Sequence, residues 1–197
     1  MDLGLLYSAG KDSSLAALTL DPFYDVTLVT ATFGITEDWK HAERTAQATP
    51  FEFQTLDLDP EVAKAAVERL RSDGFPRNAI QSVHLHALER LASEGFVAIA
   101  DGTRRDDRVP SVSRAQAQSL EDRHGVNYIA PLSGFGRRAV DQLVETQLDV
   151  EAGPSETISK ADYEAELRAL LAERAGPDAV SEIFTDHEQT YVTGFQR

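Results

Sequence analysis

The sequence predicts an α/β fold: a doubly wound, mostly parallel sheet in three layers, with a helical appendage at its C-terminal end. Three observations carry that reading. Short runs rich in aliphatic and β-branched residues alternate with segments of helical length. The first run ends in a Gly-containing turn that leads at once into a helix. The chain of 197 residues is long enough for one domain with a sizeable core, and it has no cysteine, so neither disulfides nor thiolate metal sites contribute.

The elements follow in order. Residues 2–7 read as a first strand and 13–20 as a helix. "DVTLVTATFG" (25–34) reads as a buried strand, 37–48 as a helix and "FEFQTLDL" (51–58) as a third strand. Pro60 sits where a helix starts, and 61–72 continues it. "DGFPR" is a loop. Residues 78–93 form the clearest amphipathic helix, with Ile80, Val83, Ala87, Leu88 and Leu91 on one stripe. "FVAIAD" (96–101) and "NYIAPL" (127–132) are the fourth and fifth strands; 114–124 and 137–148 are helical. "EAGPSET" (151–157) reads as a linker, dividing a domain of residues 1–150 from an appendage of residues 151–197. In the appendage, Ser159 and Asp162 open a helix that runs to about Ala175 and stops at Gly176-Pro177. "TYVTGF" (190–195) is a last strand or an extended arm.

Charge narrows the function classes. The net charge is −14, and only four of 19 basic residues are lysine, a balance that suits either concentrated salt or an ordinary acidic cytoplasmic protein. Residues 102–138 depart from it, with seven arginines against Asp106, Asp107, Glu121 and Asp122. A basic island in an acidic chain points to an anionic ligand there, the plainer reading being a helix surface of internal ion pairs. With no leader pattern and no run long enough to span a bilayer, a cytoplasmic protein without a membrane partner is expected.

In a parallel sheet, ligands bind beyond the carboxyl ends of the strands, where strand order reverses. The stretch "LLYSAGKDSSLA" (5–16) lies at that edge. A loop that leaves a strand and opens a helix aims backbone N–H groups outward, and the helix dipole adds positive potential, so the place suits phosphate. Gly10 and Ala9 are small, Ser8, Ser13 and Ser14 offer hydroxyls, and Lys11 adds a charge. Asp12 makes sense beside a phosphate if magnesium lies between, or if it serves the helix start. Neither G-x-x-x-x-G-K-[ST] nor G-x-G-x-x-G fits.

"SAGKDSS" resembles the signature loop of the PP-loop ATP pyrophosphatases, S-G-G-x-D-S or S-x-G-K-D-S, with Ala9 where Gly is more frequent. That resemblance covers about residues 1–148. It implies an adenine-nucleotide α-hydrolase-like fold with a five-stranded parallel sheet. It also implies cleavage of ATP between its α and β phosphates and transfer of AMP to a substrate oxygen, from which a nucleophile displaces it. Lys11 and Asp12 would be catalytic; Ser8, Ala9, Gly10, Ser13 and Ser14 would hold pyrophosphate. "ADGTRRDD" (100–107) is similar to the segment that follows the fourth strand in tRNA-modifying members. It implies that Gly102 and Thr103 approach the nucleotide and that Asp106 or Asp107 joins Asp12 in holding Mg2+. Thr32 and Phe33 match the place where the family contacts adenine through its backbone. Arg104, Arg105, Arg108 and Arg114 would meet an anionic substrate, either tRNA or a small metabolite.

Members of the resembled family that insert sulfur or reduce sulfonucleotides use cysteines, so a chain with none implies, within that resemblance, an amide- or amine-forming ligase, or a subunit whose partner supplies sulfur, rather than a self-sufficient thiolase or reductase. The alternative is a non-catalytic nucleotide sensor on the same fold, although its later loop, G-x-x-G-x(9)-G-[ST], is absent. His84 and His86 stand two apart on a helix and cannot form an i, i+4 zinc pair; His84 reads as a core-edge residue. Ser113 reads as a helix cap or a phosphate contact, and "GFGRR" (134–138) as a second anion-binding helix start. His187 reads as part of a capped turn, or as a residue that reaches the site or the partner of a homodimer.

Overall fold

A parallel sheet in the order β3-β2-β1-β4-β5 forms the centre of the computed structural model, which describes residues 1–154, 161–184 and 188–196. Its strands are β1 (Asp2–Leu6), β2 (Asp25–Thr32), β3 (Glu52–Asp57), β4 (Ala98–Ala100) and β5 (Asn127–Ile129). Helices α1 (Lys11–Leu20), α2 (Trp39–Ala46), α3 (Pro60–Asp73), α4 (Arg77–Ala92), α5 (Arg114–His124) and α6 (Arg137–Gln147) link or follow them. The chain then makes β6 (Leu148–Pro154), α7 (Tyr163–Ala175), α8 (Pro177–Ile183) and β7 (Glu188–Phe195). The five-stranded α/β sandwich expected from the sequence is the fold observed.

The sheet is central because its middle strands are apolar on both faces. Leu3, Leu5, Leu28, Val29 and Ile99 are fully buried, each such side chain contributing about 1.5–3 kcal/mol of transfer free energy. One core lies between the sheet and α3, α4, α5, α7 and α8; the other lies beneath α1, α2, α6 and the β6–β7 pair. Gly4 in β1 lets the chain pack closely, since a Cβ there would lie 2.7 Å from the Phe96 ring.

The helix ends obey local chemistry. Asp59 accepts a hydrogen bond from the Glu61 amide, with Pro60 next to it, and Gly74 closes α3 at φ +72°. Ser113 and Gln116 form a reciprocal capping box at α5, so Ser113 has the helix-capping role weighed for it. Helix α7 stops at Gly176-Pro177 as expected, and Pro177 then starts α8, which the sequence had not suggested.

Two expectations need correction. Residues 151–154 are strand, not linker: β6 pairs antiparallel with β7 from Leu148↔Phe195 to Pro154↔Glu188, and the side chains of Leu148 and Val192 are buried under the sheet. The β-propensity of Val150 beside Leu148 was outweighed in the sequence by Gly153-Pro154. Helix α7 begins at Tyr163, not near Ser159, with Asp162 as its cap accepting from the Ala165 amide at 3.1 Å. Residues 155–157 of the expected linker, Ser159 and His187 lie outside the described residues.

Strand order decides where a ligand fits. From β1 the chain builds outward through β2 to β3, then returns to place β4 on the other side of β1. The loops after β1 and β4 therefore leave toward opposite faces, and a crevice opens between them.

Candidate functional site

The loop after β1 is shaped by its own residues. Tyr7 is buried, and its carbonyl accepts from Thr30 Oγ1 at 2.8 Å. Burial pushes its phenol up to about 12, Ser14 opposing that with a hydrogen bond at 3.4 Å. Ala9 is fully buried at φ +60°, a left-handed conformation that costs a residue with a Cβ about 1–2 kcal/mol. Its carbonyl accepts from the Val192 amide of β7 at 3.0 Å. Gly10 is the N-cap of α1 and offers no side-chain cap, so the first-turn amides meet no capping hydroxyl. Ser13 is turned inward, its Oγ donating to the Gly10 carbonyl at 3.1 Å and lying 3.4 Å from both the amide and the hydroxyl of Ser8.

The loop after β4 packs directly on that helix start. A Cβ on Gly102 would lie 2.8 Å from the Ser13 amide nitrogen and 2.9 Å from the Asp12 carbonyl carbon, so only glycine fits there. Next to it, Asp101 is 2 % exposed. Its Oδ1 accepts from the Thr103 amide at 2.9 Å and hydroxyl at 2.6 Å; its Oδ2 meets Tyr128 Oη at 2.9 Å and His84 Nε2 at 2.8 Å. Burial pushes this carboxyl up, but the hydrogen bonds from His84 and from Thr103 outweigh it and hold Asp101 below the usual carboxylate range. Burial, with the Asp101 charge, pushes the Tyr128 phenol well up.

These loops wall a cleft of about 490 Å³. Ser8, Asp12 and Ser13 line it from one side, Gly102, Thr103, Arg104 and Asp107 from the other, and His84, Tyr163 and Arg168 also face it. Lys11 is paired with Asp141 of α6; the bond from Lys11 is the main cause that holds Asp141 below its ordinary value.

The three carboxylates expected to hold magnesium converge on the guanidinium of Arg104, at 2.6 Å from Asp107, 3.7 Å from Asp12 and 3.9 Å from Asp106. The place draws positive charge, and Arg104 supplies it. Asp106 also accepts from the Arg137 amide at 2.9 Å, which stitches the loop after β4 to the start of α6. Among the described residues no group of three or more acidic or histidine side chains is set to hold a metal unaided. Asp12 and Asp107, both on the cleft wall, fit magnesium that arrives with phosphate oxygens, the usual way this ion is held.

Other expected site residues are placed differently. Ala9, Gly10 and Ser14 form the loop's frame behind the cleft wall. Thr32 and Phe33 face the C-terminal segment: buried Glu166 of α7 accepts from Thr32 Oγ1 at 2.9 Å, the Phe33 amide at 2.8 Å and the Ile35 amide at 2.9 Å. Arg105, Arg108 and Arg114 are exposed and do not line the cleft; Arg105 donates its amide to the Phe135 carbonyl at 3.3 Å.

Sequence reasoning missed Asp101, Tyr163 and Glu166 and gave His84 a bland role. Tyr163 meets His84 from 79 positions away and Glu166 meets Thr32 from 134. No local pattern carries such contacts; the available signal was an acidic residue at the end of the fourth strand.

Comparison with known proteins adds three findings. Residues 1–194 match a family of unknown function, DUF7411. The uncharacterized protein MJ0690 of Methanocaldococcus jannaschii is 40 % identical over 198 residues, covering 100 % of this chain and 98 % of that protein. The crystal structure of a predicted subunit of tRNA methyltransferase from the same organism superimposes with a TM-score of 0.91 at 40 % identity, again over 100 % and 98 % of the two chains.

Proposed function

The chain belongs to the family DUF7411, which brings a fold and no assigned chemistry, and from its residues we propose an ATP pyrophosphatase that forms AMP and adenylates an acceptor. The observation that carries the reading is the S-A-G-K-D-S-S loop at the β1 switch point, with the uncapped amides of α1 beside a cleft. Such a cradle suits the two outer phosphates of a triphosphate.

In this reading the amides at the start of α1, together with Ser8, grip the pyrophosphate as it departs, and each donor lost costs about 3 kcal/mol in the barrier. Lys11 releases Asp141 and turns to the phosphates. Asp12 and Asp107 would hold magnesium, which would neutralise charge on the phosphate oxygens. Arg104, on the same cleft wall, would meet the α phosphate or the acceptor.

For the acceptor we propose an RNA. The relative described as a predicted tRNA methyltransferase subunit supports that class. So does the junction of the loop after β4 with the start of α6, where Arg105 bonds the backbone of exposed Phe135 and exposed Arg137 and Arg138 follow in the chain, a set that combines phosphate contacts with a stacking ring. Without cysteine, the displacing group is an amine, or sulfur from a partner.

The test is ATP labelled at the α phosphate, incubated with magnesium, ammonium chloride and total small RNA. Labelled AMP should appear with the wild-type chain and vanish with Lys11→Ala or Asp12→Ala, both within about 1 kcal/mol of wild type in stability because their ion pairs are part-exposed. ATP bound without any AMP would favour a nucleotide sensor instead.

A further inference from the structure

The cleft holds one buried polar constellation that the chemistry above leaves unused. Every partner of Asp101 other than His84 is a donor, so the carboxylate is ionised and His84 Nε2 carries the hydrogen that points at it, across 2.8 Å. In the neutral tautomer that donates Nε2–H to Asp101, His84 Nδ1 is a lone pair. It faces Tyr163 Oη at 2.5 Å, and in that tautomer the phenol is the donor. His84 and Asp101 are 3 % and 2 % exposed, yet all three residues border the cleft that also contains Ser8, Asp12 and Ser13. Anchoring α7 does not explain this chain of groups. Leu167 and Leu171 are fully buried and already fix the helix, and apolar residues would serve as well as a buried charge.

We propose that Tyr163, backed by His84 and Asp101, is the general base that takes the proton of the nucleophile displacing AMP. The inference rests on the adenylation reading and adds its missing base. An amine attacks the adenylated carbon; the C–N bond forms and the C–O bond to AMP breaks, its electron pair leaving on the AMP oxygen. The amine's proton passes to Tyr163 Oη as the phenol's own proton moves to His84 Nδ1, and the resulting imidazolium faces the Asp101 carboxylate. Burial, the main cause, with the nearby carboxylates, raises the phenol well above its usual range, so Tyr163 rests as a neutral donor and passes protons on rather than losing one to solvent.

The experiment follows pyrophosphate and AMP separately, with α-labelled ATP, magnesium, ammonium chloride and total small RNA. Tyr163→Phe should release one equivalent of pyrophosphate at the wild-type rate and with the wild-type KM for ATP, while AMP release slows about 10²-fold. His84→Gln, which keeps a donor toward Asp101, should behave the same way. Tyr128→Phe deletes a bond to the same carboxylate oxygen away from the cleft wall and should slow AMP release less than about threefold. Wild-type AMP release in both Tyr163→Phe and His84→Gln, or equal losses in the two phenylalanine variants, would overturn the relay and leave adenylation standing. A wild-type chain that releases neither product would overturn both.

Discussion

At the scale of single residues, two positions set the geometry of the cleft. Gly102 holds the loop after β4 against the first turn of α1, and its obstacle is backbone, which cannot swing aside. Gly102→Ala is expected to cost about 1–3 kcal/mol and to abolish AMP formation by parting the two loops; unchanged melting with full turnover would count against this packing role. Asp101 is the second. Its carboxyl sits below the ordinary value of 3.8, so its contribution to stability is complete above that pH and is lost as the pH falls through the lower folded value. Asp101→Asn puts an amide N–H2 among donors and should destabilise by about 3 kcal/mol near neutrality. Urea titrations below about pH 4 should show a shallower acid decline in the variant than in wild type; parallel curves would show that another carboxylate governs the acid limb.

At the scale of elements, α7 does more than cover a core. Glu166 satisfies two strand-end amides and a threonine hydroxyl, which makes the end of β2 depend on a helix from the far end of the chain. Glu166→Ala leaves those buried donors unpaired and is expected to cost about 3 kcal/mol. Hydrogen exchange offers the check: the Phe33 and Ile35 amides should lose protection selectively, with the amides of β1 little changed. Much of this level was legible beforehand. The apolar run of Leu3-Gly4-Leu5-Leu6 leading into a helix, the Pro60 start, the Ser113 cap and the Gly176-Pro177 stop all act over a few residues, so composition and spacing reveal them, although α1 begins at Lys11, two residues before the start read from the sequence. The strand at 148–154 was hidden because its partner lies some forty residues on and its own Gly-Pro imitates a linker. The site divides in the same way. Ser8 through Ser13 could be read directly, whereas the His84–Asp101–Tyr163 line and Glu166 are products of tertiary folding.

For the whole molecule, the surface charge makes the clearest demand. A net charge of −14 repels itself at low ionic strength, and the arginines concentrated in residues 102–138 leave the remainder more acidic still. The Debye length falls from about 10 Å at 0.1 M salt to about 3 Å at 1 M, so the melting temperature should rise over that range. The same salt should weaken the association proposed with RNA, which rests on the exposed arginines. A chain that melts lower as potassium chloride is raised would remove concentrated salt as its setting.

The bond from the Val192 amide to the Ala9 carbonyl ties the loop after β1 to a strand far along the chain. During translation, therefore, that loop waits unfinished while some 180 further residues are added. The nascent polypeptide can collapse around its sheet early, but the loop reaches its finished geometry only once β7 has left the ribosome and slid in beneath.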